Sequence, residues 1–152
     1  MENLQDKYAP RNRCYGCGPD NPEGLQIKSV VEGDEVVCRW KPKPHHLAYE
    51  GAVNGGICGT LLDCHSNWTA AWHLMNQAGA DTVPCTVTAE FHVKLRKPTP
   101  MDAVLELRAK VVESTPDRAW VETTLFANGV PTATCRGLFV AVKEGHPAFH
   151  RW

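Results

Sequence analysis

Between Gly51 and Ala80 the only formally charged side chain is Asp63, if the histidines are neutral. The run begins "GAVNGGICGTLLD". An aspartate on a solvated helix face would have Lys and Glu neighbours, and this one has none. A carboxylate set among apolar and small residues is poorly solvated, which raises its basicity and suits general-base or nucleophilic work. On a helix, Gly56, Gly59, Thr60, Ser66, Asn67 and Ala70 share the Asp63 face. Residues that small let a thin ligand or another backbone approach.

The complementary chemistry lies at the start of the same run. Gly55 and Gly56 fall at the helix N-terminus, where unpaired N–H groups and the macrodipole favour a developing oxyanion. Asn54 fits the N-cap. From there to Asp63 is about two turns, roughly 11 Å at 1.5 Å per residue. A base and an oxyanion donor must each come within about 3 Å of one carbonyl. One helix cannot easily supply both, but a two-fold dimer with antiparallel helices could.

Other residues could carry chemistry with less support from spacing. Cys14 and Cys17 form a C-x-x-C, which invites a zinc or redox reading. No second C-x-x-C or spaced His pair completes it, so no metal is assigned and the segment is expected to be an ordered loop. Arg96 and Lys97 end an alternating run and could meet phosphates or simply be solvated. His45 and His46 follow a Pro-rich turn and are expected at the surface.

Elements must position these groups. Two strand-like runs, "LQIKSVV" and "DEVVCRW", flank a turn at "EGDE". A loop with Pro42 and Pro44 leads into a helix over about 56–77, and Gly79 is a stop signal. "TVTAEFHVKLRKP" alternates with Val87, Ala89, Phe91, Val93 and Leu95 on one side, as a half-buried strand does. Residues 101 to 113, "AWVETTLFA" and "VPTATCRGLFVAV" complete four strands read as joined by tight turns, with "NG" a hairpin signal. One long helix with one antiparallel sheet is an α+β layer architecture. The helix is apolar on so much of its circumference that a curling sheet or a partner must cover it.

Composition narrows the class. The chain has 152 residues, 22% of them charged, and a net charge of −1, which suits a single globular domain over 1–152. Scattered basic residues give no support to nucleic-acid or membrane-surface binding. Seven cysteines, an odd number, point to reduced thiols in the cytoplasm rather than a secreted disulfide framework. The opening "MENLQDKYAPRNR" has no apolar run of the kind a signal peptide carries.

Taken together, "NGGICGTLLD", the opening "CYGCGPDNPEGL" within the 1–24 segment, and "TAEFHVKLRKPTP" resemble the hotdog-fold acyl-CoA thioesterases of the phenylacetyl-CoA thioesterase type. The resemblance runs from about Cys14 to Val142 and implies a long central helix wrapped by a curved antiparallel sheet. It implies Asp63 as general base or nucleophile, Gly55 with Gly56 polarising the thioester carbonyl, and Thr88 orienting the attacking water. Asn54 stands where that family usually has His; it can hydrogen-bond but cannot exchange a proton near neutral pH. Arg96 and Lys97 would meet coenzyme A. The implied protein is a homodimer or dimer of dimers acting on acyl-CoA, with no cofactor beyond the coenzyme A of its substrate. The alternative is a hotdog protein that binds acyl-CoA without hydrolysing it, which Asn54 favours and Asp63 opposes.

Overall fold

The computed structural model describes residues 2–152. A short helix α1 (Leu4–Tyr8) precedes strands β1 (Ser29–Glu32) and β2 (Glu35–Trp40). After a 3-10 turn at Pro44–His46 come two very short strands, β3 (Leu47–Tyr49) and β4 (Ala52–Val53), then the long helix α2 (Gly55–Gln77). Strands β5 (Thr86–Leu95), β6 (Leu105–Thr115), β7 (Arg118–Ala127) and β8 (Val130–Ala141) follow.

Local chemistry sets the ends of α2. Asn54 Oδ1 accepts from the Ile57 N–H at 3.1 Å, satisfying one of the unpaired first-turn donors. At the other end the chain turns out through Gly79 at φ +65°, and the Ala80 N–H reaches back to the Met75 carbonyl at 3.0 Å. That is a Schellman closure, which glycine accommodates without Cβ strain.

Six strands form one antiparallel sheet in the order β1-β2-β6-β7-β8-β5, and β3 and β4 pair separately. Bulges at Thr88/Glu90, Val111/Glu113 and Leu125/Phe126 curl the sheet around α2. Leu61, Leu62 and Trp68 of the helix are fully buried with Leu105, Leu107 and Leu125 of the sheet. Each such leucine contributes about 2 kcal/mol through lost apolar exposure. Long helix and curved antiparallel sheet together make the hotdog fold that the sequence implies.

Five sequence expectations are corrected. His46, expected at the surface, is buried beside Trp40, and its Nδ1 accepts from the Lys43 N–H at 2.9 Å. The first strand begins only at Ser29, because Gln26 turns the chain with φ 57°. The later strands are not four in a row with tight turns. β6, β7 and β8 form a meander whose last turn, Asn128–Gly129, has φ 52° and 77° as expected for a type I′ hairpin. β5, by contrast, crosses to pair with β8. The small-residue face of α2 is not one open stripe: Ser66, Asn67 and Ala70 are buried, with Ser66 Oγ 2.6 Å from Thr123 Oγ1. Lastly, β5 is not half-buried along its length. Its apolar side stands in solvent at Phe91 and Leu95, which are 41% and 58% exposed.

Candidate active site

The residues in question form two groups along α2. At its start, Asn54 uses its side chain to cap the helix and its carbonyl to accept from the Cys58 N–H at 3.1 Å. Among the described residues, none accepts a hydrogen bond from the N–H of Gly55 or Gly56. Gly55 borders a solvent-open pocket of about 270 Å³, whose wall also includes Tyr49, Cys58, Leu95, Arg96 and Lys97. A Cβ at Gly55 would sit 3.1 Å from Leu95 Cδ1, so the bare backbone is what lets the helix end face this pocket. Arg96 is steadied by a 3.3 Å bond from Nε to Thr134 Oγ1, and the backbone N–H groups of Arg96 and Lys97 both reach the Thr132 carbonyl. Two cations and the free Gly55 N–H therefore share one opening, an arrangement that suits anionic or carbonyl oxygens.

Two turns on, Asp63 is half-buried, and Oδ1 accepts from Thr88 Oγ1 at 2.7 Å. The bulge at Thr88/Glu90 lies beside this contact. Burial pushes the Asp63 carboxyl above the usual aspartate range, the Thr88 hydroxyl pulls the other way, and the Cys14 sulfur adds to the rise. Arg151 also acts to lower it. Arg151 is held in place by its Nη1 bond to the Thr86 carbonyl at 2.9 Å, while the neighbouring Trp152 stacks on Trp68 with ring centroids 4.6 Å apart.

The structure thus brings Asp63 to Thr88, and Gly55 to Arg96 and Lys97, but it does not bring Asp63 to Gly55. Two nearby residues were not singled out for this site from the sequence. Arg151 lies in a tail without periodicity, and only the folded chain returns it to β5. Cys64 reads as a core position by helical spacing; its sulfur instead meets Cys14 Sγ at 3.9 Å.

On the other side of α2, His65 is fully buried. Its Nε2 donates to the Val36 carbonyl at 2.9 Å, which leaves Nδ1 to accept from Ser29 Oγ at 2.8 Å. Gln5 Nε2 donates to that same Oγ at 2.9 Å, and Gln5 Oε1 accepts from the Ser29 N–H at 2.7 Å. Burial lowers the His65 pKa to about 4. This Ser–His pair is sealed from solvent and serves the fold.

Solved structures similar in shape include thioesterase superfamily proteins. One, from Shewanella loihica PV-4, superimposes with a TM-score of 0.70 and 29% identity over 92% of this chain and 100% of its own. The BH2602 protein from Bacillus halodurans, solved with CoA, gives 0.64 and 26% identity over 79% of this chain and 76% of its own. Zebra fish thioesterase superfamily member 2 gives 0.63 and 18% over 80% and 89%, a likeness of fold. No family model and no curated protein matches the sequence. No helix among the described residues is long and apolar enough to cross a membrane.

Proposed function

We propose that this protein is an acyl-CoA thioesterase, hydrolysing the thioester to a free acid and coenzyme A. The observation that carries the reading is the Thr88–Asp63 hydrogen bond, which fixes the one carboxylate of an uncharged helix in the hotdog fold. Asp63 takes a proton from water, or attacks the carbonyl itself, and Thr88 fixes the carboxylate's direction. The N–H of Gly55, with that of Gly56, holds the oxyanion as the C–S bond breaks and coenzyme A leaves as a thiol. Arg96 and Lys97 flank the Gly55 pocket, where they would meet the coenzyme's phosphates. The likeness to a CoA-bound neighbour supports this placement of the coenzyme.

The roughly 11 Å between the two groups requires the Gly55 of a second subunit to face Asp63. The exposed edge of β5 supports a homodimer. It is a ten-residue strand with Phe91 and Leu95 in solvent, the kind of edge that soluble proteins cover. Seven unpaired cysteines suit a reducing cytoplasm, where we assign the protein.

A thiol-release assay across short, long and aromatic acyl-CoAs tests the activity. Light scattering at micromolar concentration tests the dimer; full activity in a monomer would refute the shared site. Asn54 supports a second reading, binding without turnover, since its side chain caps the helix and exchanges no proton. Saturable acyl-CoA binding with no thiol released from any of them would establish that reading.

A further inference from the structure

The three sulfurs of Cys14, Cys17 and Cys64 lie within 4.8 Å of one another. They come from two distant parts of the chain, the N-terminal loop and α2. The loop is shaped to deliver them. A Cβ at Gly16 would collide with Cys64 Sγ, and one at Gly18 would collide with the Cys14 amide and the Asn12 carbonyl. The Gly18 N–H closes the turn on the Cys14 carbonyl at 2.8 Å. In "CYGCG", then, the glycines are what allow the C-x-x-C to press against the helix.

Cys14 Sγ meets Cys64 Sγ at 3.9 Å. The groups around the sulfurs are donors. Asn12 Nδ2 reaches Cys17 Sγ at 3.8 Å. Trp68 is fully buried, its Nε1 has no acceptor, and it lies on the Cys17 side of the cluster. Donors converging on sulfur suit thiolates, since a thiol is itself a weak donor that needs none of them. Among the described residues no lysine or arginine hydrogen-bonds to any of the three sulfurs, so thiolates there call for another positive charge.

We propose that Cys14, Cys17 and Cys64 bind a soft divalent cation of the zinc type, with water at the fourth corner on the half-exposed Cys14 side. Tetrahedral zinc with bonds of about 2.3 Å places its sulfurs about 3.8 Å apart, and Cys14 Sγ and Cys64 Sγ stand 3.9 Å apart. Binding releases the thiol protons to solvent and changes no oxidation state. The ion ties the N-terminal loop to the middle of α2, one residue from Asp63. Spacing alone argued against a metal because the C-x-x-C had no partner pair; the helix supplies the third ligand from 47 positions beyond Cys17.

The test uses the full reduced chain, free of metal and kept from air. Added Co²⁺ should give one equivalent with the visible bands of tetrahedral cobalt and a sulfur-to-metal charge-transfer band, and Zn²⁺ should displace it. Zn²⁺ should also shield Cys14, Cys17 and Cys64 from alkylation, read by mass spectrometry, while half-buried Cys85 stays reactive. Cys14→Ser and Cys64→Ser should each weaken zinc binding by at least about 100-fold, beyond what loss of an outer partner causes, and Cys85→Ser should leave it unchanged. The alkylation pattern of the unmutated protein decides the matter if a serine variant fails to fold. No cobalt bands, protection of other cysteines, binding that survives Cys14→Ser, or a disulfide among the three in protein prepared without air would each overturn the proposal.

Discussion

Cys64 and His65 are consecutive residues of α2 that enter two different kinds of polar cluster. On the His65 side, the contacts from Gln5 through Ser29 to the Val36 carbonyl pair each donor with an acceptor, and no charge is left over. On the Asp63–Cys64 side the balance fails. A carboxylate raised by burial has one hydroxyl bonded to it, and three sulfurs gather with no lysine or arginine hydrogen-bonded to them. A closed network has no use for a ligand and contributes rigidity. An unbalanced one is where a substrate, a water or an ion completes the arrangement. The difference separates fold from function more sharply than burial does, because both sides of the helix are largely out of solvent.

The comparison can be broken most severely at its closed end. His65→Ala should cost roughly 3 kcal/mol or more of stability by leaving a cavity and two unpaired partners. Denaturant unfolding should show that loss, while thiol release per folded molecule stays within about two-fold; a larger fall in turnover would make His65 part of the site. Asp63→Asn should do the reverse. It should cut kcat by at least about 100-fold, as loss of a general base does, with acyl-CoA binding and the unfolding midpoint close to the parent's. Parent-level hydrolysis by this variant would remove Asp63 from the chemistry. Gln5→Ala leaves the buried Ser29 N–H without its acceptor and should cost about 1–3 kcal/mol by the same unfolding measurement. Thr88→Val keeps shape but not the hydroxyl, and a fall in kcat of about ten-fold, with little loss of stability, would sharpen the contrast from the open side.

Much of this was legible before folding. The isolated aspartate, the glycines ahead of the helix, Gly79 at its end and the Asn128–Gly129 turn all act through neighbours within a few residues, so their signals survive in sequence. The crossover of β5 does not, because alternation gives a strand's faces but not its partner. Nor does the burial of Ser66 and Asn67. Small polar residues on a helix look like an open face until Thr123 arrives from 57 positions away. Arg151 and the Cys64 sulfur belong to the same class, since both depend on contacts between distant segments. The positions of Gly55 and Asp63 were readable one by one, whereas their separation on one helix is what directs attention to a second subunit.

The strand order has a consequence for how the chain becomes a sheet. β8, the last strand, lies between β7 and β5. While it is being synthesised, β5 has no neighbour to pair with, and β6 with β7 can form only a hairpin against β2 and β1. The long-range closures, β2 onto β6 and β5 onto β8, raise the contact order, and the second of them must wait until β8 has formed. A ribosome-bound chain that stops short of Val130 would therefore present Phe91 and Leu95 on a strand with neither edge satisfied, and the window of greatest aggregation risk closes only when the final dozen strand residues emerge.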